Sequence, residues 1–346
     1  MPAVGVGSFT LANTLDGIQI VPAVHVPLVA GRGGLMLRYR LRLLFNTAVA
    51  RIPRPLLAGF FKTFTMRPEL AEAAGFHVHP SRFDSPFPLM GEIDWPALDR
   101  PRSLPGVDFR LPAALDLLDA LEKFSPELDS LPYQNTAGFQ FWFENGTFTD
   151  FDAAALHGLL RHLKPKRYVE LGCGWSSYIS SHALARNATE NAPCDAVYAD
   201  PVPRRDLSEL LATGRVLIKR VQEVPFDLFT ALEPGDVLFI DTSHVLKVQS
   251  DVEYELLRIL PSLRPGVWIH FHDVFSPYDY PEDCVRMPIR MSWNEQYALE
   301  ALLTGGGNYV VELPLFLLWK EHLSDLQTLL PRGKSRPHSF WMRKML

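Results

Sequence analysis

Cysteine is scarce in this chain: Cys173, Cys194 and Cys284 are the whole complement of 346 residues. None stands at zinc-site spacing from another, so the sequence speaks for a reducing cytoplasm over a disulfide-stabilised exterior. Long apolar runs are missing as well; none approaches the roughly 20 residues that span a bilayer. No basic stretch precedes an apolar one near the start, so no secretory signal is read there, and nothing directs export. Internal repeats and low-complexity tracts are absent. Acids are almost missing from one region: residues 1–68 carry eight basic residues against the single acid Asp16, a net +7 in a chain whose total is −5. Arg32, Arg38, Arg40, Arg42, Arg51, Arg54, Lys62 and Arg67 interleave there with Leu35, Leu37, Leu41, Leu43, Leu44, Phe45, Phe60 and Phe61. Such a segment suits peripheral contact with an anionic membrane or an acidic partner, or a helical layer with a solvated arginine face. Nucleic acid is not an expected partner, because the remainder is acidic and holds no recognised binding module.

With 47% hydrophobic and 21% charged residues, the chain can bury one substantial core and a smaller accessory region. Three parts are expected: the basic amphipathic segment 1–68, a proline-broken accessory or lid region 69–150, and a main domain 151–346. Prolines in HPSRFDSPFP, DWPALDRPRSLP and SLPYQN favour turns, with one helix from Pro112 to Phe124. Phe139, Phe141, Trp142, Phe143 and Phe148 read as core, with a substrate wall as the alternative.

The main domain alternates short apolar runs with helical patterns. Tyr168–Leu171, Ala196–Asp200, Val216–Ile218, Asp236–Asp241, Val267–Asp273 and Asn308–Leu313 read as strands, and Ser339–Lys344 as an antiparallel seventh. Between them, 250–260 places Val252, Leu256, Leu257 and Leu260 on one helical face. This alternation predicts an α/β fold with a mainly parallel sheet covered on both sides, its last strand antiparallel.

The run RYVELGCGWSS, Arg167–Ser177, carries a strand directly into a glycine turn. Gly172 and Gly174 permit a sharp turn and close approach of a ligand, and a helix from about Ser176 to Arg186 offers its N-terminal amides. A dinucleotide fingerprint requires a third glycine where this chain has Ser177, and Glu170 would repel a pyrophosphate. A carboxylate suits a cationic ligand such as S-adenosylmethionine, with its ammonium and sulfonium. Asp200 ends the second strand at the offset where an acid meets a ribose diol, or else caps a helix begun by Pro201. Glu223 lies near the expected adenine. The cofactor set is therefore Glu170, Gly172, Gly174, Ser176, Ser177, Asp200, Glu223 and Asp241. The segment resembles motif I of class I methyltransferases, whose E/D-x-G-x-G core is matched by Glu170, Gly172 and Gly174, implying a Rossmann-like methyltransferase sheet.

A second group gathers at the carboxyl ends of the fourth and fifth strands, where open sheets collect ligands: Asp241, His244, His272 and Asp273. A divalent cation there could lower the pKa of a substrate hydroxyl while an imidazole removes its proton. The pattern is similar to metal-dependent O-methyltransferases, particularly those of macrolide sugars and more distantly the catechol type. That resemblance implies Asp241, His272 and Asp273 as metal ligands and His244 as general base. The sugar enzymes usually carry a carboxylate where this chain has His272, which points from Mg toward Mn, Fe or Zn, or to no metal at all, with His272 capping the strand and only Asp273 facing the site. His270, on the same strand face, reads as core or support.

FSPYDYP (275–281) and WNEQY (293–297) resemble segments of the methyltransferase-24 family, a likeness covering about Gly138–Val311 and strongest over Arg167–Asp273. Loops after the last strands build acceptor pockets, so Tyr278, Asp279, Tyr280, Trp293, Asn294 and Glu295 are candidate substrate contacts. The expected activity is O-methylation of a sugar or other polar small molecule. The alternatives are a non-haem metal oxygenase using His244, His272 and Asp241 or Asp273, and a non-catalytic binding protein on the same fold.

Overall fold

The computed structural model describes residues 14–15, 18–19, 53–75, 77–78, 83–137, 140–203, 206–207, 210, 214–286 and 293–346. The chain forms two compact units, Met1–Ser81 and Arg82–Leu346. In the first, the two-residue strands Thr14–Leu15 and Ile18–Gln19 pair antiparallel. Helices Arg54–Met66 and Pro68–Ala73 follow, each with proline in its first turn, where a missing N–H costs nothing. Leu56, Phe60, Phe61 and Met66 are exposed. Arg32, Arg38, Arg40, Arg42 and Arg51 lie outside the described residues, and with them most of the basic segment expected at a membrane.

The second unit is built on seven strands: β1 Arg167–Leu171, β2 Asp195–Ala199, β3 Gly214–Leu217, β4 Val237–Ile240, β5 Trp268–Phe271, β6 Tyr309–Pro314 and β7 Phe340–Lys344. They lie in the order β3-β2-β1-β4-β5-β7-β6. β1 to β5 are mutually parallel, and β7 runs antiparallel to both neighbours. β7 lies between β5 and β6. Phe340, Trp341 and Met342 are all buried, and a strand apolar on both faces needs sheet neighbours and cover on both sides.

Helices cover both faces. Among those on the first are α1 Leu111–Glu122, α2 Asp150–Leu163 and α3 Trp175–Thr189, in a core that includes Leu118, Leu121, Phe151, Tyr168 and Trp341. Val169, Leu171, Leu238 and Ile240 join Val252, Ile259 and Leu299 in the core of the second. There the expected helix at 250–260 runs as α-helix Asp251–Tyr254, a π-helical turn Glu255–Ile259 and α-helix Leu260–Ser262. Ser250 caps its start, accepting a hydrogen bond from the Glu253 amide. Leu257, expected on the buried face, is 65% exposed while Ile259 is fully buried. Five residues on from Val252 falls about 140° around an ideal helix, and seven residues on returns to the same face.

Residues 83–150 belong to this second unit. Phe141, Phe143 and Phe148 are buried, as the core reading expects, and Trp142 packs edge-on to Trp175 at 4.1 Å between ring centroids. Phe139 lies outside the described residues.

Candidate functional site

The glycine turn sits at the carboxyl end of β1. Gly172 has φ +84°, and a Cβ there would stand 1.7 Å from the Asp241 carbonyl oxygen. Glycine is required because the backbone after β1 lies against the backbone after β4, a different reason from the ligand space expected of it. A Cβ on Gly174 would meet nothing within 4 Å, so this position does border open space. α3 begins at the next residue, directing its first amides to the turn. Asp200 is partly exposed beside it, accepting from the Cys173 amide at 2.9 Å and the Val202 amide at 2.7 Å. Its cap is thus to the glycine turn and its own loop.

Glu170 corrects an expectation. The residue is fully buried, and its carboxyl accepts from Tyr168 Oη (2.7 Å), Ser176 Oγ (2.7 Å), Ser177 Oγ (2.6 Å) and Ser180 Oγ (3.2 Å). Burial pushes its pKa up to about 7 against the lowering effect of these hydroxyls. Glu170, Ser176 and Ser177 therefore tie β1 to α3, and their side chains are spent on each other. Glu223 is on a surface turn, paired with Arg220 at 2.7 Å.

The second group does assemble. Asp241 follows β4, His244 lies three residues further at φ +58°, and His272 and Asp273 follow β5. His244 Nε2 is 3.3 Å from Asp241 Oδ1 and 3.3 Å from Asp273 Oδ2, while its Nδ1 meets Glu295 Oε2 at 3.0 Å. Burial alone would lower the His244 pKa. Its partners Asp241 and Glu295 and the charge of Asp273 instead raise it well above the usual histidine range. The residue expected as general base is thus ringed by the three carboxylates of Asp241, Asp273 and Glu295.

His272 is buried, with Nδ1 3.7 Å from Asp241 Oδ2 and 3.8 Å from Asp273 Oδ1. Its Nε2 stands 3.9 Å from Asp152 Oδ2, beyond hydrogen-bonding distance, and that contact is Coulombic. Burial lowers the His272 pKa, but the charges of Asp241 and Asp273 win and carry it to about 9. Burial would raise the carboxyl of Asp273, which the imidazoles of His272, His338 and His244 hold well below the carboxylate range. The expected trio Asp241, His272 and Asp273 is not one of the tight sets. Among the described residues, two sets have donor atoms close enough for one metal ion: Asp241, His244 and Asp273, and His272, Asp273 and His338. His270 is core, stacked on Phe239 at 3.8 Å and driven neutral by burial.

His338, absent from the sequence reading, donates from Nδ1 to Asp273 Oδ1 at 2.6 Å. It is set there by Asp152 in the first turn of α2, which accepts from the His338 and Ser339 amides at 2.9 Å. The candidate substrate contacts divide. Trp293 packs edge-on to His244 at 5.0 Å, Asn294 braces the same loop through the Leu246 amide (2.6 Å), and Glu295 holds the imidazole. Tyr278 and Tyr280 are buried in a small core with Phe275 and Phe316. Their hydroxyls bond Glu321 and the Gln296 amide, and Asp279 accepts from Tyr297 Oη. These three are wall structure because their polar atoms already have partners.

A cavity of about 790 Å³ adjoins this wall, lined by Trp95, Phe316, Trp319, Arg286, Lys320 and Arg336 among others. Arg336 links it to the cluster: its Nε donates to His338 Nε2 at 3.3 Å. Lys320 pairs with Asp99, and Arg336 with Asp283 through two 2.9 Å bonds, so the lining is aromatic with internally balanced charge.

Three solved structures illustrate the likeness to known proteins. An O-methyltransferase of tomaymycin synthesis from Streptomyces achromogenes, in complex with S-adenosylmethionine, is 14% identical over 67% of this chain and 90% of that one, with a TM-score of 0.34. An O-methyltransferase from Bacillus cereus is 12% identical over 67% and 91%, with a TM-score of 0.34. A methyltransferase from Geobacter sulfurreducens is 16% identical over 70% and 99%, with a TM-score of 0.31. No curated protein matches the chain in sequence. Residues 169–274, from β1 to just past β5, match the methyltransferase-24 family model, described as a methyltransferase domain. The glycine turn and the acid-lined strand ends fall inside that match, and the chain thus carries a class I S-adenosylmethionine-dependent methyltransferase domain.

Proposed function

We propose that the chain methylates a hydroxyl oxygen of a polar small molecule, a sugar among the candidates, with help from a divalent cation at the Asp241–His244–Asp273 set. One observation carries this reading: the Gly172 backbone lies against Asp241, so the cofactor turn and the carboxylate–imidazole group are neighbours at the carboxyl ends of the adjacent strands β1 and β4. Methyl donor and proton acceptor need that closeness, because alkylation of a hydroxyl requires its proton to leave as the new bond forms; with His244 given to the cation, the free oxygen of Asp241 is the group that would receive it.

The cofactor would be held by the 172–175 turn, Asp200 and Asp241; Gly174 borders the open space it needs. S-adenosylmethionine supplies an electrophilic methyl on a positively charged sulfur. A cation at two carboxylates and an imidazole fits the donor set of Mn, Fe or Zn, and when bound it lowers the pKa of an oxygen beside it. Asp241, with 31% of its side chain exposed, is the most open carboxylate of the set and the one an acceptor reaches first. The aromatic cavity offers flat faces for a ring, sugar or planar, and its link through Arg336 and His338 leads to Asp273.

Calorimetric titration with S-adenosylhomocysteine tests the reading. Saturable binding is expected, weakened roughly 10-fold or more by Asp200→Ala. Absence of binding to the wild-type chain would overturn it.

A further inference from the structure

The two carboxylates of the cluster are shared among imidazoles, Asp241 between two and Asp273 among three. Asp241 presents Oδ1 to His244 (3.3 Å) and Oδ2 to His272 (3.7 Å). Asp273 presents Oδ2 to His244 (3.3 Å) and Oδ1 to His272 (3.8 Å) and His338 (2.6 Å). Two donors bound to one ion at about 2.1 Å sit about 3.0–3.4 Å apart at octahedral or tetrahedral angles. The His244 distances fall in that range, the His272 distances lie a few tenths of an ångström beyond it, and the 2.6 Å between His338 Nδ1 and Asp273 Oδ1, a direct hydrogen bond, must open to reach it. His272 is 4% exposed in the middle of the cluster; its Nδ1 faces both carboxylates at 3.7 and 3.8 Å, beyond hydrogen-bonding distance, and its Nε2, turned toward Asp152, is an orphaned buried atom. Buried polar groups seldom stay unpaired without a reason.

We infer that the cluster is a two-ion centre for divalent transition metals, bridged by Asp273, with Asp241 placed to bridge as well. The inference rests on the cation proposed for the methyl-transfer site and extends it to a second. His244 Nε2, Asp241 Oδ1 and Asp273 Oδ2 form the first position; His272 Nδ1, His338 Nδ1 and Asp273 Oδ1 form the second. The His244 imidazole has a carboxylate hydrogen-bonded behind it, Glu295 at 3.0 Å from Nδ1, whereas Asp152, 3.9 Å from His272 Nε2, acts on the other ring by charge alone. A carboxylate behind a ligating imidazole is the usual way a protein fixes its orientation. Nitrogen and oxygen donors in this mixture suit Mn²⁺, Fe²⁺ or Zn²⁺.

The second position is the weaker one. For His338 to ligate through Nδ1, its remaining ring hydrogen moves to Nε2, where the Arg336 Nε–H now points at 3.3 Å. Arg336 therefore opposes the second ion, by charge and by the facing hydrogens.

The test is Mn²⁺ titration of the metal-stripped full chain, with metal analysis and low-temperature electron paramagnetic resonance. Two ions per chain are expected, the second binding more weakly and converting an isolated-ion spectrum into a spin-coupled one. His338→Ala should stop at one uncoupled ion, and Arg336→Gln should tighten the second ion roughly 10-fold. A wild-type chain that saturates with one ion or none, or binds two without coupling, overturns the inference. S-adenosylhomocysteine binding measured on the same samples keeps the two readings apart: cofactor binding with one ion sinks only the second position, and two coupled ions without cofactor binding sink only the methyl-transfer reading.

Discussion

The two halves of the sheet's carboxyl end are built on opposite plans. On the β1–β2 side, Glu170 is enclosed by four hydroxyls and Asp200 by two amides. On the β4–β5–β7 side, His244 has three carboxylates around it, His272 and Asp273 face several opposite charges, and buried polar atoms such as His272 Nε2 and Glu295 Oε1 lack partners. In the first, or scaffold, half the acids at the strand ends are satisfied by neighbouring hydroxyls and amides. The second concentrates charge in a buried place, a costly arrangement unless something binds there. A site for chemistry differs from its support in this way: its polar groups are left available.

The largest effect should come from breaking the charged half. Asp273→Asn removes a charge facing three imidazoles and is expected to lower turnover on an identified acceptor at least about 100-fold. Affinity for S-adenosylhomocysteine should stay near wild type, since the cofactor turn lies on the other half. Equal loss of both, measured side by side, would show that the halves are not separable. Next, Gly172→Ala strikes the seam between them. With φ +84° and a backbone oxygen 1.7 Å from the new Cβ, roughly 3 kcal/mol or more of stability should go, read by denaturant unfolding. An alanine variant as stable as wild type would mean the seam is looser than described.

Glu170 gives a subtler probe of the scaffold half. Its pKa rises from 4.5 unfolded to about 7 folded, so the stabilisation it brings is full below pH 4.5 and lost as pH climbs through 7. That is worth about 3 kcal/mol in all, at 1.36 kcal/mol per pKa unit. Glu170→Gln is neutral throughout, so its unfolding free energy should change less between pH 4.5 and 7 than that of wild type. Parallel pH profiles would show that the carboxyl ionises inside the fold with no penalty.

Much of the scaffold half was legible because its parts are neighbours in sequence. Strand, glycines and helix occupy one run from Arg167 onward, and the strand–helix alternation gave a mainly parallel sheet with an antiparallel final strand. What misled there was direction: β1 turns Glu170 to the same side as Tyr168, under the serines of α3, and an acid in a motif carries no mark of which way it faces. On the charged half, Asp241, His244, His272 and Asp273 could be gathered from the rule that strand ends meet, but their pairing could not. His338 follows Asp273 by 65 residues and comes beside it only because β7 lies next to β5, in the register Phe271 with Phe340.

The sequence by itself determined the alternation of elements, the glycine turn and the stock of acids and imidazoles at the strand ends, since each depends on residues close along the chain. Tertiary structure alone decided that β7 enters between β5 and β6, that Asp152 of α2 fixes the backbone at His338, and that Asp241 and Asp273 divide their oxygens between imidazoles. Those contacts join segments distant along the chain, and they form because a strand apolar on both faces is stable only inside the sheet, bringing His338 with it.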